Sequence, residues 1–132
     1  MSLDPEVKKF LDIMSKLPSF DPEMPASKAR ELELSALSSM PREEVGSVKD
    51  HRINDKGLLL REYVPSGKAS GGAILFIHGG GFVLGSVEAY DPFARHFCNI
   101  ARMRLFSIEY RLAPENRFPA AHDDSYAAFR WL

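Results

Sequence analysis

Cysteine occurs once in this chain, at position 98, so no intrachain disulfide framework exists. An excess of charge is lacking too: 17 Lys and Arg stand against 18 Asp and Glu, a formal net charge of −1. That balance gives no electrostatic footprint for nucleic acid or an anionic membrane. No apolar run approaches the roughly 20 residues that span a bilayer. The opening Met1-Ser2-Leu3-Asp4-Pro5-Glu6 lacks the basic segment and apolar stretch of a signal peptide. Internal repeats and low-complexity segments are missing as well. These absences point to a reducing, cytoplasmic setting, without membrane or nucleic-acid partners. What is present is ordinary for a globular protein: 132 residues, 45% of them hydrophobic, enough for one domain with a core.

Two segments near the N-terminus carry helical spacing. Leu3, Val7, Phe10, Leu11, Met14 and Leu17 form one stripe. Asp4 suits its cap, Pro5 its first position, and Pro18 ends it. Ala29, Leu32, Ala36, Leu37 and Met40 form a second stripe between Ser27 and Pro41. Ser19 to Ala26, with Pro22 and Pro25, reads as an irregular linker. Val48–Ile53 and Leu58–Val64 flank Asn54-Asp55-Lys56-Gly57 and read as a hairpin, Gly57 supplying a positive φ. After a surface loop, Pro65 to Gly72, comes Ala73-Ile74-Leu75-Phe76-Ile77. A continuous apolar run of this length reads as a strand of a parallel sheet, buried on both faces.

A helix is expected from Pro92 to about Arg102, capped by Asp91, with Phe93, Phe97, Ile100 and Ala101 turned inward. Leu105–Tyr110 reads as a strand, and Arg111–Phe118 as a turn-rich loop. A last helix opens at Pro119, lined by Ala121, Ser125, Ala128, Phe129 and Leu132. Strand, helix, strand, helix with a buried run gives the α/β class.

His78-Gly79-Gly80-Gly81-Phe82 follows the buried run. Consecutive glycines are costly to order and make sense where backbone approaches a ligand closely. A dinucleotide phosphate is one candidate, with Glu109 as the acid near the end of the next strand. The spacing argues against it: Gly79, Gly81 and Gly85 give G-x-G-x-x-x-G, and the helix opens only near Asp91. No G-K-[ST] is present either. The other candidate is an oxyanion. Acyl transfer to a serine places negative charge on the carbonyl oxygen, and a fixed N–H donor aimed there is worth roughly 3–4 kcal/mol. H-G-G-G is the form such a loop takes in lipases and esterases. Three glycines alone would serve a plain turn equally well.

Further segments stand in one characteristic order: Gly85-Ser86, Tyr90-Asp91-Pro92, Glu109-Tyr110-Arg111-Leu112-Ala113-Pro114-Glu115-Asn116, and Phe118-Pro119-Ala120-Ala121. Together with His78–Phe82 they resemble the hormone-sensitive-lipase family of bacterial and archaeal carboxylesterases. The similarity spans most of Leu58 to Leu132 and is weaker over the N-terminal helices. It implies the N-terminal half of an α/β-hydrolase fold, with residues 1–44 as cap helices and 45–132 as core. On that resemblance Gly80 and Gly81 supply oxyanion-hole N–H groups, while His78 and Gly79 shape the loop. Phe82 lines the substrate pocket or is a packed core aromatic, and Glu109, Tyr110 and Arg111 buttress the loop or have a purely structural role. His122, in the first turn of the last helix, is read as solvated.

No G-x-S-x-G occurs in the 132 residues. The resemblance therefore implies that the Ser, Asp or Glu, and His of the triad all lie beyond Leu132, with the third oxyanion donor. Trp131-Leu132 breaks off inside an apolar helix pattern with no stop signal, as a fragment would. The strand 73–77 is expected to lie between two neighbours, one of them from chain beyond residue 132. The implied activity is a serine carboxylesterase for short- to medium-chain acyl esters, with no metal or cofactor. This chain would supply the oxyanion loop and be inactive alone. Its expected partners are a small-molecule ester and the remainder of its own polypeptide; a homodimer is left open. Two alternatives stay open: a non-catalytic small-ligand binder, as in the plant gibberellin receptors that resemble this family, and an inactive truncated remnant.

Overall fold

The computed structural model describes residues 3–15, 21 and 23–132. Helix α1, Pro5–Met14, begins as its sequence dictates: the Asp4 carboxylate accepts the Glu6 N–H at 2.8 Å, and Pro5 fills the first position. Its stripe is uncovered among the described residues, with Val7, Phe10 and Leu11 all exposed. Leu17, Pro18 and residues 19, 20 and 22 of the expected linker lie outside the described residues. Helix α2, Ala26–Ser38, buries only Ala29, and Leu32 and Met40 of its expected stripe are exposed.

Strands β1 (Ser47–Ile53) and β2 (Leu58–Val64) form the expected antiparallel hairpin. Its turn carries positive φ at Asn54 (58°) and Gly57 (66°), and the Asn54 side chain accepts the Lys56 N–H. Strand β3, Ala73–Phe76, then leads through helix α3 (Asp91–Ala101) to strand β4 (Arg104–Ile108), parallel to β3. Helix α4, Ala120–Trp131, closes the chain. The sheet order is β1-β2-β4-β3, with β4 antiparallel to β2.

Period-two alternation sends each strand's side chains to two cores. Leu58, Leu60, Phe106 and Ile108 join Ala121 and Ala128 of α4 on one face. Tyr63 and Leu105 join Ala94 and Cys98 of α3 on the other. Leu60, Leu105 and Ile108 are fully enclosed, each burial worth about 1.5–3 kcal/mol.

Four expectations need correction. Strand β3 is not buried on both faces: Ala73 is exposed, Ile74, Leu75 and Phe76 are half-buried, and Ile77 is 49% exposed. Among the described residues it pairs with β4 alone and forms the edge of the sheet. Asp91 does not cap α3 through its side chain but is its buried first residue. It accepts hydrogen bonds from the Tyr63 hydroxyl (2.9 Å) and Arg95 Nε (2.7 Å), and these anchors set the rotation of the helix. Small Ala94 and Cys98 therefore meet the sheet, Ile100 is 62% exposed, and Phe97 packs sideways on Phe76. In α4, Ala121 and Ala128 face inward as expected, but Phe129 and Leu132 are exposed, with no element covering that side among the described residues. Among the described residues, no helix is long and apolar enough to cross a membrane.

Candidate active-site loop

The chain leaves β3 through Ile77 and enters His78-Gly79-Gly80-Gly81-Phe82 at the C-terminal end of the strand. Three successive residues there hold positive φ: Gly80 (119°), Gly81 (60°) and Phe82 (64°). The Gly80 carbonyl accepts the N–H groups of Val83 (3.0 Å) and Leu84 (2.8 Å), closing a tight turn. A Cβ on Gly80 would run into the Leu84 carbonyl, so glycine is required by space as well as by φ. Phe82 has no such freedom; a left-handed non-glycine costs about 1–2 kcal/mol and is held there by its surroundings. The backbone N–H groups of residues 79–82 donate to no acceptor among the described residues.

His78 is the pivot of the loop. Its ring is buried and stacked between Tyr110 (centroids 4.3 Å apart) and Tyr90 (5.4 Å). Nδ1 lies 2.8 Å from the Gly79 carbonyl, an acceptor, so Nδ1 carries the proton. The Tyr110 hydroxyl donates to the His78 carbonyl at 2.9 Å. Burial pushes the Tyr90 and Tyr110 hydroxyls up from their ordinary range, which keeps both neutral. Gly85 (φ 93°) completes the nest, for a side chain there would collide with the His78 ring.

Of the three residues expected to buttress the loop, two do so. Tyr110 holds His78, and the Glu109 carboxylate accepts the Val87 N–H at 2.6 Å. Arg111 turns elsewhere: its N–H and guanidinium bind the buried Asp124 carboxylate of α4 at 2.8–2.9 Å. Burial opposes the Asp124 charge, but the Arg111 contacts outweigh it and hold its carboxyl below the ordinary value.

Phe82 is 54% exposed and borders a cleft of about 270 Å³ with Gly81, Ala113, Asn116, Phe118, Ala121 and His122. His122 is exposed, as expected, yet it lies between two aromatics: stacked on Phe82 (5.4 Å) and edge-on to Phe118 (5.0 Å). That sandwich was not legible in the sequence. Neither was the role of α2, whose Arg30 donates to the carbonyls of Val83 (2.7 Å) and Ala113 (2.6 Å) and whose Glu33 accepts the Gly85 N–H (2.6 Å). Charged residues on an amphipathic helix read as a solvated face, and nothing in their spacing marks a buried acceptor.

A family model described as alpha/beta hydrolase fold matches residues 74–132, which contain the loop and its buttresses. An arylesterase of Saccharolobus solfataricus is 35% identical over 136 aligned residues, covering 99% of this chain and 44% of that protein. The chain has the α/β-hydrolase fold and is similar to hormone-sensitive-lipase-type esterases that carry it. An ethyl acetate hydrolase of Pseudomonas putida is 31% identical, across the whole of this α/β-hydrolase chain and 46% of its own length. A solved arylesterase structure superimposes with a TM-score of 0.86 at 34% identity, over 99% of this chain and 44% of that one. This α/β-hydrolase chain thus spans a little under half the length of these relatives. The arylesterase matches extend through α1 and α2, so the N-terminal helices belong to the shared architecture as the sheet does.

Proposed function

We propose that this chain works in a carboxylic ester hydrolase that acts through a serine acyl-enzyme, and that it supplies the oxyanion loop. The observation that carries the reading is the set of unengaged backbone N–H groups at Gly79–Phe82, in a turn whose φ values only glycine adopts freely, beside an open cleft. When a serine oxygen attacks the ester carbon, the carbonyl π electrons move onto oxygen and a base takes the serine proton. Gly80 and Gly81 donate their N–H groups to that oxygen; being fixed beforehand, they need no reorganisation as the charge develops. Collapse of the intermediate expels the alcohol, and water later releases the acid. The relatives' names, arylesterase and ethyl acetate hydrolase, support an ester as the small-molecule substrate, with Phe82 lining its pocket. His78 is not the base in this reading, since its ring, Nε2 included, is buried between Tyr90 and Tyr110.

Within the 132 residues the serines nearest the loop and the cleft are already engaged. Ser86 Oγ accepts the Ala89 N–H, and Ser125 Oγ donates to the Ala121 carbonyl. The nucleophile and base come from the remainder of the polypeptide, and this segment alone has no turnover. The test is fluorophosphonate labelling of the full-length protein, followed by peptide mapping and by turnover of p-nitrophenyl butyrate. A labelled serine outside residues 1–132 with measurable turnover is the expected result. Labelling at Ser86 or Ser125, or no labelling and no turnover, overturns the reading.

A further inference from the structure

The oxyanion loop is gripped from behind by a helix that contributes nothing to the sheet. Arg30 on α2 is largely covered, its side chain 26% exposed. Its Nε donates to the Val83 carbonyl and its Nη2 to the Ala113 carbonyl, at 2.7 and 2.6 Å, while Glu115 takes up the guanidinium in a two-pronged pair at 2.8 and 3.0 Å. Val83 and Ala113 flank a link that already exists, for the Ala113 N–H donates to the Phe82 carbonyl at 2.8 Å. Arg30 therefore spans the loop and the segment after β4 at the point where they touch. Glu33, three residues along the same helix, accepts the Gly85 N–H at 2.6 Å.

The placement of the two contacts matters more than their number. Val83 and Gly85 bracket Leu84, and the N–H groups of Val83 and Leu84 close the turn on the Gly80 carbonyl. Any movement of residues 83–85 is passed directly to Gly80, whose φ of 119° lies in no deep well of its own. From this we infer that Arg30 and Glu33 are positioning residues, through which α2 sets the aim of the Gly80 and Gly81 N–H groups. The inference rests on the oxyanion reading of the loop. The polar face of helix α2 is then part of the machinery that holds the transition state.

The experiment is steady-state kinetics of the full-length protein on p-nitrophenyl butyrate, with every rate divided by the concentration of active sites titrated with a fluorophosphonate. That division separates misfolded molecules from folded but misaligned ones. Arg30→Met is expected to lower kcat per titrated site about tenfold with KM within about twofold, because small misplacements of a catalytic group cost rate rather than ground-state binding. Arg30→Lys, which can restore one carbonyl bond, lies between, and Glu33→Gln shows a smaller loss of the same kind. Lys28→Met, which removes only the exposed pair with Glu31 on the same helix, leaves kcat unchanged. Wild-type kcat per titrated site in both Arg30 variants, or an effect confined to KM or to melting temperature, overturns the inference. Gly80→Ala run alongside tells the two failures apart. If it cripples kcat while the Arg30 variants do not, only the positioning role falls; if Gly80→Ala is also harmless, the oxyanion reading falls with it.

Discussion

Replacing Gly80 by alanine tests the loop with the smallest possible change. Two consequences follow from its geometry. Its φ of 119° lies roughly 60° from the left-handed well near +57° that an L-residue tolerates. Its new methyl would meet the Leu84 carbonyl and Cβ, which are backbone-anchored and cannot swing away. If the backbone rotates into that well about N–Cα, the carbonyl carbon moves by about 1.5 Å, given a Cα–C bond of about 1.52 Å and an angle of about 111°. The Gly81 N–H is carried with it. A displacement of about 1 Å costs about 10²-fold, and losing an oxyanion donor costs about 10²–10³-fold, so kcat should fall by about 10²-fold or more. Gly81→Ala is the matched comparison: φ is already 60° and nothing lies within 4 Å of its Cβ position. It should cost about 1 kcal/mol of stability and far less rate. The assay is hydrolysis of p-nitrophenyl butyrate by the full-length variants, per titrated active site, with thermal melts beside it. A folded Gly80→Ala protein within about threefold of wild-type kcat, or a Gly81→Ala protein that loses more rate, would refute the reasoning.

Tyr110→Phe removes the hydroxyl that binds the His78 carbonyl; denaturant unfolding of the full-length protein should show a loss of about 1–3 kcal/mol. For Asp124 the sign is set by its depressed carboxyl. The stability it adds is fully present above the ordinary value of 3.8 and is lost as pH falls through its lower folded value. Asp124→Asn should thus be less stable than wild type at neutral pH, with the gap narrowing in urea melts taken below that value. The 132-residue segment produced alone should self-associate and bind hydrophobic dyes, because β3 presents an unpaired edge beside exposed Ile77, Phe97 and Ile100. A monomeric, cooperatively unfolding segment in sedimentation and calorimetry would contradict this.

The hairpin, the β3-α3-β4 unit and the α/β class were legible because they rest on local signals: period-two alternation, an Asn-to-Gly turn, and apolar runs punctuated by glycine and proline. The motif order around His78 and Glu109–Asn116 located the loop for the same reason. Burial was less legible, since it depends on what lies opposite. Ile74–Phe76 form an apolar run suited to a strand covered on both faces, yet here they are only half-buried. Phe97 and Ile100 look like the inner stripe of α3 until the buried Asp91 anchors turn Ala94 and Cys98 inward. Arg30 and Glu33 were illegible because their contacts to the loop are with backbone groups 52 to 83 residues away, and a backbone group has no signature in a one-letter code.

That choice of partner shapes how the molecule tolerates change. The clamp addresses carbonyls at positions 83 and 113 and an N–H at position 85, groups that nearly every amino acid presents alike. The side chains of Val83 and Ala113 are therefore free to drift, and to reshape the neighbourhood of the cleft, without loosening the grip on the loop. Freedom is uneven between the two sides of the contact: the residues that present the two carbonyls can mutate silently, whereas Arg30, whose planar fork reaches both carbonyls and the Glu115 carboxylate at once, has no substitute that does the same. A library randomised at 83 and 113 would explore new pocket shapes on an intact catalytic frame, and one randomised at 30 would mostly sample broken frames.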